Sequence, residues 1–196
     1  MTPFKKAFAR GLDALEAAQA RFAMIGGVAV SVRAEPRFTK DVDFIVAVAS
    51  DEEAERLGST MLGHGFSLHT MLERTDVAQI ATMRFILGGV LIDLLVGACG
   101  AEQEIVELAT PATVLKNREC PVASVGALLA LKTLAMANRK KIDDEGDMLR
   151  LLAVANDGDV QQAEELVALM TVRGPGRDKG LAGILARVVA SAREQG

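Results

Sequence analysis

Residues 22–48 read FAMIGGVAVSVRAEPRFTKDVDFIVAV, and this stretch decides the fold. RFAMI at 21–25 is the short apolar run of a strand, ending on Gly26-Gly27. VAVSVRA then reads as a helix that starts directly after the glycines and stops before Pro36, because a proline pushes its predecessor out of helical geometry. VDFIVAV at 42–48 is rich in β-branched residues and reads as a second strand. Asp41 and Asp43 stand at its mouth. Alternation puts the two on one face, with Val42, Phe44, Val46 and Val48 on the other. Carboxylates this close repel, and one should take up a proton unless a cation lies between them. A hard divalent cation such as Mg²⁺ resolves that conflict, since it prefers paired oxygen ligands.

Asp93 is a third acid, in GGVLIDLLVG, with apolar residues on both sides. A carboxylate in so apolar a strand is costly unless it is paired or coordinates metal. If the 90–96 strand lies beside the 42–48 strand, three carboxylates meet at one edge of the sheet. Two metal ions held by such acids form an arrangement suited to in-line attack on phosphorus. Gly26 and Gly27 let the backbone approach a ligand closely, and just ahead of a helix their N–H groups suit a triphosphate. The phosphate-loop lysine motif and GxGxxG are both missing, which excludes P-loop and dinucleotide-binding proteins.

Outward from this core, Phe4, Phe8, Leu12 and Leu15 give residues 3–20 a helical spacing. Ser50 as cap with Glu53 three residues on opens a helix to about Leu62, which accounts for the acids at 51–55. VAQIATMRFIL, Gly88-Gly89 and VLIDLLV read as two strands joined by a tight turn. Residues 97–120 read as loop-rich with a short helix around 102–108. From Ser124 four segments have helical spacing, with Asp159 and Gln162 as a further cap pair and RGPGRDKG as a loop before the last helix. The fold class is α/β (α+β): a mixed sheet flanked by helices over 1–123, then a C-terminal helical subdomain over 124–196.

The 196 residues carry a net charge of −4, are half hydrophobic, and include seven Phe but no Trp or Tyr. The hydrophobic content excludes disorder, and the charge excludes a surface built wholly for nucleic acid. Few aromatics weaken any model based on stacking single-stranded bases. Cys99 and Cys120 have no metal-ligand spacing and read as apolar fillers; His64 and His69 complete no zinc or triad arrangement. No apolar run approaches membrane-spanning length and the N-terminus has no signal-like core, so a soluble cytoplasmic protein with no membrane partner is expected.

Ile25-Gly26-Gly27, thirteen residues, Asp41-Val42-Asp43-Phe44 and then Ile92-Asp93-Leu94 together resemble the signature of the polymerase-β-type nucleotidyltransferase superfamily. RFTKDVDF further resembles the Arg-x-Thr-x-Asp-x-Asp element of the AbiEii-like nucleotidyltransferases, many of them toxin halves of toxin–antitoxin systems. LALKTLAMANRKKIDDEGDML adds that group's helix lysine, downstream arginine and Asp-x-x-Asp as Lys132, Arg139, Asp144 and Asp147; a departure is Gly126, where a charged or polar residue is common.

The resemblance implies the nucleotidyltransferase-type fold and Mg²⁺-dependent transfer of NMP from an NTP to an acceptor hydroxyl, with release of pyrophosphate. It implies that Asp41, Asp43 and Asp93 are catalytic and hold two Mg²⁺ ions (Mn²⁺ as an alternative), and that Gly26, Gly27, Arg37, Thr39 and Lys132 bind nucleotide. Arg139, Asp144 and Asp147 are accessory candidates; the two acids share a helix face and could equally cap a helix or pair with Arg139. Partners implied are the NTP, an acceptor that is RNA (a tRNA 3′ end above all), a protein or a small molecule, and a cognate antitoxin. Two alternatives stand beside this: an aminoglycoside- or lincosamide-type small-molecule nucleotidyltransferase, and a non-catalytic antitoxin or regulatory module.

Overall fold

The structure, a computed structural model, describes residues 1–74, 76–115, 118–138, 142–175 and 179–195. Among these, seven strands form one mixed sheet, flanked by eight helices. The elements in chain order are α1 (Pro3–Ala17), β1 (Arg21–Ile25), α2 (Gly26–Arg33), β2 (Val42–Ala47), α3 (Asp51–Gly63), β3 (Ser67–Arg74), β4 (Gln79–Leu87) and β5 (Val90–Leu95), then α4 (Glu102–Glu107), β6 (Thr110–Leu115), β7 (Arg118–Val122), α5 (Val125–Asn138), α6 (Ile142–Leu152), α7 (Asp157–Arg173) and α8 (Leu181–Gln195).

Local chemistry explains the helix starts. Thr2 caps α1 by accepting from the Lys5 N–H, with Pro3 in the first turn, where its missing N–H costs nothing. Ser50 caps α3 by accepting from the Glu53 N–H, and the Glu53 carboxylate accepts in turn from the Ala49 N–H at 2.7 Å. At α7 the expected Asp159–Gln162 pair is corrected: Asn156 is the cap and Asp159 its reciprocal partner in a capping box. Gln162 instead accepts from the Ser124 hydroxyl at the head of α5. Helices α5 and α7 pack closely there, and a Cβ on Gly126 would lie 2.6 Å from the Asp159 carbonyl oxygen. The departure at Gly126 thus has a packing cause.

The sheet runs β3-β4-β5-β2-β1-β7-β6. β5 lies parallel to β2, and β1 antiparallel to it. β4 and β5 join through Gly88-Gly89, both with positive φ (58° and 80°), as a tight glycine turn requires. Two strand regions differ from expectation. β3 was not apparent because it is exposed on both faces and shows no hydrophobic alternation. The stretch expected to be loop holds the β6/β7 hairpin, whose Pro111 and Pro121 face each other in register.

Phe8, Leu12 and Leu15 of α1, Phe44, Ile45 and Val46 of β2, and Ile92 and Leu94 of β5 are buried in the one hydrophobic core. Helices α5 to α8 pack on one another, and α2 touches both α5 and α6. Through α2, the glycine turn is held between the sheet and the helical half.

Candidate active site

The parallel pairing of β2 and β5 places Asp43 directly opposite Asp93. Asp41 lies just before β2 begins. Asp41, Asp43 and Asp93 line one cleft of about 780 Å³ together with Gly26, Gly27, Arg37, Thr39, Lys132 and Asp144. All eight residues expected to bind metal or nucleotide therefore share one cavity, large enough for a nucleotide-sized ligand.

Gly26 opens α2 with φ +66°, and a Cβ there would overlap the Asp43 carboxylate. A Cβ on Gly27 would lie 2.5 Å from Arg37 Nη2 and 2.9 Å from Thr39 Oγ1. Only glycine fits either position. The residue before α2, Ile25, supplies no side-chain cap, so the first-turn N–H groups beside Asp43 are left to another acceptor.

Burial pushes the Asp43 carboxyl up to about 7, and the neighbouring charges of Asp93 and Asp41 add to the rise; Lys132 and Arg84 oppose it. A cation among these acids would offset that like-charge repulsion, and the donor set, three carboxylates, suits a hard divalent ion. Among the described residues, no three His, Cys, Asp or Glu side chains yet surround a single metal position. Arg84 supplies a reason. It lies on β4 opposite Asp93, and its Nε and Nη2 donate to the two Asp93 oxygens at 2.7 and 2.6 Å. Hydrogen bonding to Asp93 in turn raises the Arg84 pKa.

A second charge network borders the glycines. Lys132 Nζ is 2.8 Å from Asp144 Oδ1 and 2.7 Å from Asp147 Oδ2. Arg37 pairs with Asp147 through Nε at 2.6 Å and Nη2 at 2.8 Å. Asp147 has no exposed side-chain surface and is absent from the cleft lining. Asp144 and Asp147 thus pair with Lys132 and Arg37. Arg139, the other expected partner, lies outside the described residues.

A family model described as nucleotidyl transferase AbiEii toxin, type IV toxin–antitoxin system, matches residues 10–188. The chain belongs to the AbiEii nucleotidyltransferase family. It is accordingly a nucleotidyltransferase, and the mixed sheet is the fold of that superfamily. No curated protein matches the chain.

Solved structures with this fold include the lincosamide antibiotic adenylyltransferase LnuA bound to lincomycin, at 16% identity and TM-score 0.53 over 77% of this chain and 97% of that one. ANT(2″)-Ia in complex with adenylyl-2″-tobramycin matches at 15% identity and TM-score 0.52 over 96% and 95%. An antigenic nucleotidyltransferase-like protein from Paracoccidioides brasiliensis matches at 16% and 0.50, over 92% of each chain. At such identities the likeness is one of fold.

Sequence reasoning missed Arg84 and Phe38, both of which line the cleft. Arg84 carried a signal: it is the charged residue of the otherwise uncharged strand QIATMRFIL, and β-alternation puts it on the face of Thr82. The two cysteines are buried thiols whose pKa values burial raises, Cys120 to about 12.

Proposed function

We propose that this AbiEii-family chain transfers a nucleoside monophosphate from an NTP to a hydroxyl of an RNA acceptor, as the toxin half of a toxin–antitoxin pair working in the cytoplasm. The observation that carries this reading is the register of Asp43 against Asp93 beside the Gly26 turn. In the reaction the acceptor hydroxyl gives its proton to Asp93 as its oxygen bonds to the α-phosphorus, the α–β phosphoanhydride bond breaks, and pyrophosphate leaves. Mg²⁺ ions held by Asp41, Asp43 and Asp93, or Mn²⁺ in their place, would supply charge stabilisation at that phosphorus and a more acidic acceptor hydroxyl.

The chain's own residues do the rest. The N–H groups of Gly26 and Gly27 hold the outer phosphates, and the fixed α2 turn spares reorganisation during reaction. Arg37 and Thr39 pack against Gly27 within the same cleft, bracing the turn. Lys132, fixed by Asp144 and Asp147, contributes positive charge toward the departing pyrophosphate. Arg84 keeps Asp93 oriented until the carboxylate is needed.

Four acidic and four basic side chains line the cleft, so its own charge is balanced, and the charge of two divalent cations is offset by the triphosphate they accompany. The RNA acceptor is supported by the AbiEii toxin family match and by what the resemblance to that group implies. A small-molecule acceptor is the second reading, favoured by the shared fold of LnuA and ANT(2″)-Ia.

The test is incubation with each α-³²P-NTP and separated cellular RNA, protein and metabolite pools. Label is expected in RNA with the wild type and in no pool with Asp41→Asn/Asp43→Asn. Label in metabolites would favour the second reading, and undiminished label with the double variant would remove the site. Expression should arrest growth, and the double variant should not.

A further inference from the structure

We propose that Phe38 is the stacking platform for the base of the donor nucleotide, an inference that rests on the nucleotidyl-transfer reading above. Of the seven phenylalanines, six are buried in the core or packed against it; Phe38 alone is open, 79% exposed. It is also the one aromatic side chain among the described residues lining the cleft, and the chain has no Trp or Tyr. Any stacking of a base on an aromatic ring in this cleft therefore falls to it.

The ring is held out by anchors on both sides of it. The Arg37 guanidinium is fixed to buried Asp147 and donates through Nη1 to the Phe38 carbonyl at 3.0 Å. The Arg37 N–H donates to Ser31 Oγ, which donates to the Gly27 carbonyl at 2.9 Å. Thr39 Oγ1 donates to the Asp41 carbonyl at 3.3 Å. These contacts fix the backbone on both sides of Phe38, so the direction in which its side chain leaves the chain is built into the segment. Lys40 Nζ lies 6.0 Å from the ring centroid, adding a cation at the same rim.

The shared cleft points to the donor base. Arg37 and Thr39 are the side chains that wall Gly27, and Phe38 stands between them, about 3.8 Å of chain from either. The donor base lies one α-phosphate and one ribose beyond the outer phosphates on the glycine turn, and this ring is the aromatic surface that the same cleft offers it. Stacking tolerates every base because each has a π-face, so Phe38 contributes affinity while leaving base choice to other groups.

Phe38→Trp supplies the chain's sole tryptophan and a direct reporter. Titration with each NTP and Mg²⁺ should quench its emission, saturating at the concentration where calorimetry on the wild type saturates; inorganic tripolyphosphate should leave emission unchanged. Phe38→Ala should weaken NTP binding about tenfold or more without altering tripolyphosphate binding, and Phe38→Tyr should restore it. NTP heat without any change in emission overturns the proposal. So does an equal loss of affinity for NTP and tripolyphosphate, or quenching that appears only when RNA is added. Absence of NTP heat in the wild type defeats the nucleotidyl-transfer reading itself, a result distinct from those three.

Discussion

Raising the pH of the metal-free protein should destabilise it through Asp43. The carboxyl stands at about 7 in the folded chain against an ordinary value of 3.8. Between those values the native state binds more protons than the unfolded state, so this group's contribution falls as pH rises and the loss is complete just above 7. At about 1.4 kcal/mol per unit, the change between pH 5 and pH 8 is roughly 2–3 kcal/mol. For a chain this size that corresponds to a Tm shift of about 5–10 °C. The assay is urea or thermal unfolding in EDTA at both pH values, for the wild type and Asp43→Asn. The wild type should lose this increment relative to the variant, which at pH 8 should be the more stable of the two. Mg²⁺ should return most of the loss to the wild type at pH 8 and little at pH 5. Parallel pH profiles for the two proteins would refute the reasoning.

Replacing Arg84 by Met removes both hydrogen bonds from the Asp93 carboxylate, so Mn²⁺ or Mg²⁺ should bind roughly tenfold more tightly in calorimetry; unchanged or weaker binding would show that Arg84 does not compete with the cation. Asp147→Asn deprives Arg37 and Lys132 of a shared buried counter-ion and should cost about 3–5 kcal/mol in denaturant unfolding, with Arg37→Met in the same chain returning part of the loss. Gly27→Ala must displace Arg37 and Thr39 and should cost about 1–3 kcal/mol, read as a lower denaturation midpoint at unchanged slope.

The parts of the architecture legible in the sequence are those where a strong local preference and burial agree. RFAMI, the glycine pair and VDFIVAV lie where expected because their apolar residues are buried and both glycines sit where a Cβ would collide. The side-by-side placement of β2 and β5, which the three-acid reading required, is the observed pairing. β3 hid because exposure of both faces erases the periodicity that marks a strand. β6 and β7 hid because their prolines read as loop punctuation. The α7 cap was displaced by three residues because Asn156 and Asp159 both suit the role, and only the reciprocal bonds decide between them. Arg84 meets Asp93 through the register of the glycine-turn hairpin, a pairing the sequence carried, whereas Arg37 and Asp147 lie over a hundred residues apart and no local pattern specifies their pairing.

The most direct test is crystallography with Mn²⁺ and a non-hydrolysable NTP, locating the metal by anomalous scattering. The account predicts Mn²⁺ among Asp41, Asp43 and Asp93, with Asp93 released from Arg84 and the triphosphate against the N–H groups of Gly26 and Gly27. Manganese and triphosphate bound elsewhere, with Asp93 still paired to Arg84, would contradict it.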